Sequence, residues 1–237
     1  MEKRMNKTYV IGDIHGAYEG LLQCMGKSGF DYASDRLICL GDVCDRRARV
    51  KECVDELLKV RNLVMIMGNH DRWALDWMEG GETEGIWLQQ GGSDTVNSYR
   101  DGVPEEHILL FRKASYYYIA NKKLFVHGGI DYRHPIEDQQ QEDFIWDRSL
   151  VSRALELKDM PEKLTEYDEV FVGHTPTLNL PAGDQAGRYR SVPRSRFEDP
   201  VRLCNVWLMD TGAGWEGGRL SMMEVQTKEV FQSDRLY

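Results

Sequence analysis

Five short apolar runs recur along the chain, and longer stretches with a helical spacing of apolar residues separate them. Short runs rich in Val, Ile and Leu are typical of strands that are buried on both faces of a sheet. We therefore predict five core strands, at residues 9–11, 37–40, 63–67, 124–126 and 170–172.

The stretches between the first runs carry apolar residues one helical turn apart, which predicts helices over 48–60 and 72–78. Downstream, residues 116–120 and 124–127 flank a polar turn at 121–123, a pattern typical of a β-hairpin. The last third of the chain adds predicted strands near 204–209, 220–225 and 229–231. This order predicts an α/β fold in which helices cover mixed sheets in layers.

Composition narrows the class of protein. The chain has 237 residues, 41% of them hydrophobic, which suits a single domain spanning residues 1–237. No stretch approaches the ~18 apolar residues that a membrane span needs, and the net charge of -9 disfavours nucleic acid and anionic membranes as partners. Five cysteines without a Cys-x-x-Cys pair predict free thiols. We expect a soluble cytoplasmic protein.

One segment of this acidic chain is locally basic. Residues 181–202 are rich in glycine and proline and predict a long loop. We hypothesise that its arginines hold an acidic or multiply phosphorylated substrate at the rim of a site, and the alternative is a loop that is only solvated. The arginines are Arg188, Arg190, Arg194, Arg196 and Arg202.

Each of the five apolar runs ends in a glycine-containing cluster of metal-binding or proton-transferring side chains. Ligands in open α/β sheets bind beyond the carboxyl ends of the strands, so we expect the five clusters to converge on one site. The clusters are Gly12-Asp13-Ile14-His15-Gly16, Gly41-Asp42, Gly68-Asn69-His70-Asp71, His127-Gly128-Gly129 and Gly173-His174-Thr175.

Four of the six histidines lie in these clusters, whereas His107 and His134 lie in polar surroundings and are predicted to be surface residues. Asp13 and His15 are two residues apart, so in extended backbone they point to the same side. The clusters offer nitrogen and oxygen ligands without thiolate, which suits manganese, iron, zinc or magnesium. A shared carboxylate is the usual way to hold two cations close together. Asp42 is the candidate for this bridge.

Together these motifs resemble the signature of phosphoprotein phosphatases within the calcineurin-like metallophosphoesterases. The likeness is greatest to the compact bacterial and lambda-type serine/threonine phosphatases, and it covers nearly the whole chain. It implies a four-layer α/β/β/α sandwich with two mixed sheets. The second motif continues to Gly41-Asp42-Val43-Cys44-Asp45-Arg46, and two further shared segments are Phe144-Ile145-Trp146-Asp147-Arg148 and Asp210-Thr211-Gly212-Ala213.

By motif position, the resemblance implies a centre of two divalent metal ions, with manganese favoured, that activates water for direct attack on phosphorus. The implied ligands are Asp13, His15 and Asp42 for the first ion and Asp42, Asn69, His127 and His174 for the second. The remaining implied roles are a general acid, His70, oriented by Asp45, and two arginines that bind the phosphoryl oxygens, Arg46 and Arg148.

Several residues also have a simpler interpretation. Without Gly41-Asp42 upstream, Asp45 and Arg46 would be predicted to form a surface ion pair, and Arg148 would be a solvated arginine. Five residues are predicted to pack in the core and not to bind substrate or metal: the tryptophans Trp73, Trp77 and Trp87 and the cysteines Cys39 and Cys44.

Two positions depart from the family pattern. Glycine usually follows the arginine of the second motif, but Arg47 stands here and adds a charge beside the predicted phosphate site. We expect substrate contacts there to differ. The third motif ends in Asp71 where glutamate is usual, and the shorter side chain is expected to alter packing around the ligands and not ligation itself.

The favoured function is hydrolysis of phosphoserine and phosphothreonine in proteins, extended to phosphotyrosine or small phosphate esters. Symmetrical diadenosine tetraphosphate hydrolases share all five motifs but tend to be longer, and they are the first alternative. A second alternative is a phosphoprotein-binding module that has lost catalysis, which the intact His70 and Asp45 disfavour. Cleavage of nucleic acid is disfavoured by the net charge of -9.

Overall fold

Two mixed sheets of five strands form the framework of the protein. The computed structural model describes residues 6–82, 85–157, 163–180 and 198–237. The strands are β1 (Thr8–Ile11), β2 (Arg36–Cys39), β3 (Asn62–Met65), β4 (Tyr117–Ala120), β5 (Lys123–Val126), β6 (Glu169–Val172), β7 (Val201–Leu203), β8 (Val206–Leu208), β9 (Ser221–Glu224) and β10 (Val230–Gln232).

Each sheet contains three neighbouring parallel strands. The first sheet has the order β10-β9-β1-β2-β3, in which β1, β2 and β3 are parallel, β9 pairs antiparallel with β1, and β10 pairs antiparallel with β9. The second has the order β4-β5-β6-β8-β7, in which β5, β6 and β8 are parallel. Each sheet therefore gathers several strand carboxyl ends at one edge.

Helices follow most of the parallel strands. A π-helical turn, Leu88–Gly92, joins two short helices, and 3-10 turns occur at Ile136–Asp138 and Thr177–Asn179. In the part of the chain that the structure describes, no helix is long and apolar enough to cross a membrane. The helices are α1 (Tyr18–Ser28), α2 (Val50–Leu57), α3 (Asn69–Met78), α4 (Gly85–Trp87), α5 (Ser93–Ser98), α6 (Glu105–Arg112), α7 (Gln141–Trp146) and α8 (Ser149–Glu156).

Three buried apolar clusters show how the layers are stacked. Tyr9 and Ile11 of β1 pack with α1 and α2 on the outer face of the first sheet. Val10, between them in sequence, packs with Phe125 and Phe171 between the two sheets, because successive side chains of a strand point to opposite faces. The third cluster lies between the second sheet and the helices α7 and α8. The predicted four-layer α/β/β/α sandwich is confirmed.

The predicted core strands are all confirmed, and their bounds differ by one or two residues. The predicted β-hairpin is β4 and β5, whose turn residues Asn121 and Lys122 both have left-handed backbone, with φ of 50° and 57°. Two left-handed residues form the type I′ turn that matches the twist of the flanking strands.

The helix predictions were right in kind and wrong at their ends. The predicted helix at 48–60 is α2, Val50–Leu57. The predicted helix at 72–78 begins three residues earlier, at Asn69, since Gly68 has extended backbone at the N-cap. The third sequence cluster therefore forms the first turn of α3.

The basic segment falls mostly outside the described residues. Residues 181–197, with Arg188, Arg190, Arg194 and Arg196, lie outside them. The loop prediction was wrong for residues 201–202, which belong to β7. There Arg202 lies over the ring of Trp207, 5.7 Å from its centroid, because a guanidinium is attracted to an aromatic face.

The two histidines outside the sequence clusters differ in burial. His134 is exposed as predicted, but the surface prediction for His107 was wrong, because its side chain is fully buried between Tyr99 and Asp55. All five cysteines are free, and Cys39 and Cys44 are buried as predicted.

Candidate metal centre

Four of the five sequence clusters line one cavity of about 250 Å³, and the fifth, His127-Gly128-Gly129, lies behind its wall. All five lie on the loops after β1, β2 and β3 of the first sheet and after β5 and β6 of the second. Of the ten predicted site residues, eight line the cavity, and Asp45 and His127 are fully buried behind its wall. The eight are Asp13, His15, Asp42, Arg46, Asn69, His70, Arg148 and His174.

Two groups of ligand atoms share the Asp42 carboxylate. One contains His15 and His70 with Asp42, the other His127 and His174 with Asp42, and within each group the atoms lie within 4.8 Å of one another. The side-chain oxygen of Asn69 lies 3.1 Å from His127 Nε2, beside the second group. A carboxylate common to both groups has the position that a bridge between two cations requires.

Asp13 is arranged differently from the expectation. We expected it beside His15 and Asp42, but His70 completes that group. The Asp13 carboxylate instead accepts the backbone N–H of His174, at 3.1 Å from each of its oxygens. It still lines the same cavity as both ligand groups.

Backbone carbonyls orient two of the histidines. His15 Nδ1–H donates to the Cys44 carbonyl at 2.7 Å, and His127 Nδ1–H donates to the Leu40 carbonyl at 2.8 Å. Each ring therefore presents its Nε2 towards Asp42, at 3.6 Å for His15 and 3.4 Å for His127. Such carbonyl contacts fix the tautomer of histidines that bind metals.

The electrostatics of the cavity favour bound positive charge. Three carboxylates, Asp13, Asp42 and Asp210, are buried around it. Burial, followed by the neighbouring Asp210, raises the pKa of Asp13 well above its usual value. Burial by itself would lower the pKa of His127, yet the Asp42 carboxylate raises it to about 10. In the protein alone, a proton on His127 thus supplies positive charge that a cation can replace.

The other two ligand histidines are held neutral, as metal ligands must be. Burial lowers the pKa of His15 to about 3 and that of His174 to about 2. His174 Nε2 is buried and has no hydrogen-bond partner among the described residues. A buried nitrogen lone pair without a donor is costly, and a bound cation would satisfy it. The residues therefore fit two divalent cations.

His70, a member of the first ligand group, also forms a buried pair with Asp45. His70 Nδ1–H donates to Asp45 at 2.5 Å. The same carboxylate accepts Trp87 Nε1–H at 2.7 Å and the Thr95 hydroxyl at 2.6 Å. Asp45 is therefore fixed by three donors, and the interpretation of Asp45 and Arg46 as a surface ion pair does not describe this structure.

The two predicted phosphate-binding arginines differ in how firmly they are held. The Arg46 guanidinium lies over the ring of Trp215, 4.4 Å from its centroid, and its buried Nε has no hydrogen-bond partner among the described residues. Arg148 is exposed at the start of α8 and donates to the His174 carbonyl at 3.3 Å. Both line the cavity with donors available to an anion.

Unusual backbone conformations concentrate at this site. His15, Asp42, Asp45, Arg46 and His174 all have left-handed φ, between 49° and 75°. Residues other than glycine adopt this conformation at a cost, and such strain clusters at functional sites. Gly68 shows why glycine flanks these residues, since a Cβ there would lie 2.2 Å from the Asp42 carboxylate.

Sequence reasoning missed some residues that shape the cavity. Asp210 was noted only as part of a shared motif, although it lies in the cavity wall just after β8, and burial raises its pKa to about 6. Gln90, Trp146 and Trp215 also line the cavity. The strand that precedes Asp210 was a usable signal, because it is another parallel strand that ends at the same edge.

Asp71 and Arg47, the two residues that depart from the family pattern, both form hydrogen bonds with backbone groups. Asp71 accepts the N–H groups of Val43 and Cys44, at 2.8 Å and 3.1 Å, and lies outside both ligand groups. Arg47 does not line the cavity. Its guanidinium donates to the backbone oxygens of Ala213, Trp215 and Tyr237, so its donors are engaged by backbone outside the cavity lining.

The layered fold and the two ligand groups around one carboxylate define a class of protein, the metal-dependent hydrolases with a dinuclear centre. The chain belongs to the calcineurin-like phosphoesterase family, whose sequence model matches residues 7–210. Members of this family use two divalent metal ions, which agrees with the donor set found here.

Relatives divide between two kinds of enzyme. Serine/threonine-protein phosphatase 1 of Salmonella typhimurium is 23% identical over 226 residues, which cover 94% of each chain. A symmetrical bis(5'-nucleosyl)-tetraphosphatase of Methylobacillus flagellatus is 31% identical over 125 residues, which cover 52% of this chain and 43% of that enzyme. Among solved structures, a metallophosphoesterase from Sphaerobacter thermophilus has a TM-score of 0.56 at 18% identity, covering 98% of this chain and 89% of its own. That likeness concerns the fold.

Proposed function

We propose that this protein hydrolyses phosphate monoesters and that its substrates are phosphoserine and phosphothreonine side chains of proteins, with phosphotyrosine as a further substrate. The observation that carries the proposal is the juxtaposition, in one cavity, of two ligand groups sharing Asp42, a His70–Asp45 pair and two arginines. Metal binding alone requires neither Asp45, which lies outside both ligand groups, nor the arginines.

The proposed ligands are Asp13, His15 and Asp42 for one ion and Asp42, Asn69, His127 and His174 for the other. When bound, two divalent cations, for which we favour manganese, acidify a water molecule and neutralise phosphoryl charge. Arg46 and Arg148 bind the phosphoryl oxygens and orient the ester, since guanidinium groups donate paired hydrogen bonds to phosphate.

His70 is the proposed proton donor. Its Nδ1–H is held by Asp45, which leaves Nε2 to carry a proton towards the ester. As water attacks phosphorus and the P–O bond to the leaving group breaks, that proton passes to the departing alkoxide. Asp45 stabilises the positive charge on the ring before transfer and fixes its orientation.

The phosphoprotein substrate is supported by the alignment that covers 94% of this chain and of a serine/threonine-protein phosphatase. A second candidate is symmetrical hydrolysis of diadenosine tetraphosphate, favoured by the higher local identity of 31% to a tetraphosphatase. That alignment spans only 43% of the tetraphosphatase, which is why we place it second.

The experiment compares initial rates of the purified, manganese-loaded protein on a phosphoserine peptide and on diadenosine tetraphosphate at equal concentration. Asp42→Asn protein prepared in the same way measures contaminating activity. We expect faster hydrolysis of the peptide. Faster hydrolysis of the dinucleotide would overturn the substrate proposal in favour of the second candidate, and no hydrolysis of either would contradict a phosphoesterase function.

A further inference from the structure

The Arg46 side chain stacks on one aromatic ring. The buried Nε of its guanidinium has no hydrogen-bond partner among the described residues, and the group lies over the face of Trp215, 4.4 Å from the ring centroid. Arg46 backbone is left-handed, with φ of 69°, and its N–H donates to the Gly91 carbonyl at 3.2 Å. The backbone therefore fixes where the side chain starts, and Trp215 fixes where its charged end lies.

Trp215 lies on a segment between β8 and β9 that has no helix or strand of its own. Arg47 holds this segment on both sides of Gly214: its Nε donates to the Ala213 carbonyl at 2.6 Å and its Nη2 to the Trp215 carbonyl at 3.1 Å. Its Nη1 donates to the Tyr237 carbonyl at 3.1 Å. A guanidinium is planar and rigid, so its hydrogen bonds to three carbonyl oxygens hold these oxygens in fixed positions relative to one another.

Gly214, between the two carbonyls that Arg47 binds, also lies close to the Arg46 side chain. Gly214 passes so near to Arg46 that a Cβ on it would lie 2.4 Å from Arg46 Cδ. A small displacement of the Ala213, Gly214 and Trp215 backbone would therefore move Trp215 and press on Arg46. Arg47 stands where relatives usually have glycine, and its backbone is not left-handed, so the position does not require glycine here.

We infer that Arg47 is a positioning residue, which fixes Trp215 and through it the Arg46 guanidinium for binding of a phosphoryl group. This inference rests on the proposed function, because it assumes that Arg46 binds phosphate. Arg47 itself touches no substrate, since it is not part of the cavity wall. The alternative role is that Arg47 only stabilises the fold, by holding the backbone of Ala213, Trp215 and Tyr237, with no effect on Arg46.

A double-mutant cycle separates these two roles. Binding of inorganic phosphate to the manganese-loaded protein is measured by calorimetry for wild type, Arg47→Gln, Trp215→Leu and the double variant. We expect each single change to weaken binding about tenfold, or about 1.4 kcal/mol. The double variant should also lose about tenfold and not the roughly hundredfold expected of independent sites.

Arg49 offers a matched control. It is an arginine two positions further on that stacks on an aromatic ring, Tyr18, at 4.3 Å, and pairs with Glu19 and Glu52, with no contact to Trp215. Arg49→Gln should leave phosphate affinity unchanged. Arg47→Lys keeps the charge but cannot span three carbonyls, so it should give an intermediate affinity, and it carries the same test if Arg47→Gln does not fold.

Additive effects of Arg47→Gln and Trp215→Leu would overturn the inference, as would a loss of thermal stability without a change in phosphate affinity. Failure of wild-type protein to bind phosphate would also overturn it. If wild type binds phosphate but hydrolyses neither the peptide nor the dinucleotide, the proposed function fails while the cycle still decides the role of Arg47.

Discussion

At the scale of single residues, the His70–Asp45 pair distinguishes this site from one that only binds metal and anion. Asp45 is completely buried, and its two oxygens accept His70, Trp87 and Thr95. A carboxylate held by three donors cannot rotate to follow the ring, so His70 has one orientation in the cavity. That fixed orientation is what proton transfer to a leaving group requires.

His70→Asn should therefore slow alkyl esters more than aryl esters. An alkoxide leaving group needs the proton, whereas a nitrophenolate leaves readily without it, so the loss on a phosphoserine peptide should be about 10²–10⁴-fold and that on p-nitrophenyl phosphate much smaller. Steady-state rates on both esters measure this, with His134→Asn, an exposed histidine, as the control. Equal losses on both esters would exclude a proton-donor role for His70.

At the scale of elements, the start of α3 is fitted closely against the loop after β2. Gly68 has φ of -92°, which any residue can adopt, so glycine is not needed for its backbone conformation. What it provides is space, because a Cβ would lie 2.2 Å from Asp42 Oδ1 and 2.3 Å from the Asp42 nitrogen. The same loop is tied to α3 by the His70 N–H, which donates to Asp42 Oδ1 at 3.0 Å.

Gly68→Ala should displace Asp42 and reduce metal content and activity together. The matched control is Gly26→Ala in α1, where nothing lies within 4 Å of the added Cβ. Because alanine favours helix, the control should keep activity and gain about 0.5–1 kcal/mol of unfolding free energy. Metal analysis, initial rates and urea unfolding test both variants. A Gly68→Ala protein with full metal content would show that the contact is not restrictive.

His107 connects three helical elements away from the cavity. Its Nε2 contacts Asp55 of α2 at 3.0 Å, and its Nδ1 contacts the hydroxyl of Tyr99, just after α5, at 2.9 Å. Burial lowers the pKa of His107 from its ordinary 6.5, although Asp55 opposes the shift. As the pH falls below 6.5, the unfolded chain therefore binds a proton that the folded protein resists.

Stability should consequently fall with acidification, and part of that fall should be absent in His107→Gln. Urea unfolding of chelated wild type and variant between about pH 7.5 and 5.5 measures the difference. Chelation removes the separate effect of pH on metal binding. If the two proteins lost the same unfolding free energy over this range, His107 would not be the source of the pH dependence.

The elements that the sequence predicts best are those with a simple period. Runs such as Val170–Val172 within β6 are apolar on both faces because a helix layer covers one side and the other sheet covers the second. Because such runs show where a strand ends, residues that follow a strand directly, such as His174, could be placed at the site. The helical conformation of Asn69 to Asp71 could not be predicted, because this first turn of α3 is polar and its side chains lie at the cavity and not in the apolar core.

What the sequence does not indicate are contacts between distant segments. Trp87 was predicted to be core filler and is buried, but nothing local shows that its indole N–H bonds to Asp45, 42 residues away. Arg47 was expected near the phosphate, and its true partners lie 166 to 190 residues further on. His107 looked exposed because its sequence neighbours are polar, but its side chain is buried and contacts Asp55 of α2 and Tyr99 just after α5.

At the scale of the whole molecule, a chain of net charge -9 is proposed to bind an anionic ester. Two buried cations would compensate the cavity carboxylates, and Arg46 and Arg148 add positive charge at the same place. Attraction of substrate is therefore local and depends on metal loading. Removing the ions should therefore weaken binding of the anionic ester as well as abolish its hydrolysis.

The most direct test compares wild type with Asp42→Asn, because both ligand groups depend on that carboxylate. Each protein is stripped by a chelator, reloaded with manganese, and analysed for metal content and for initial rate on p-nitrophenyl phosphate. Asp76→Asn, an exposed carboxylate of α3 paired with Arg72, is the control. Wild type and control should regain about two ions per chain and their activity, and Asp42→Asn should regain neither. An Asp42→Asn protein that binds two ions and hydrolyses the ester at the wild-type rate would show that Asp42 does not bridge a dinuclear centre.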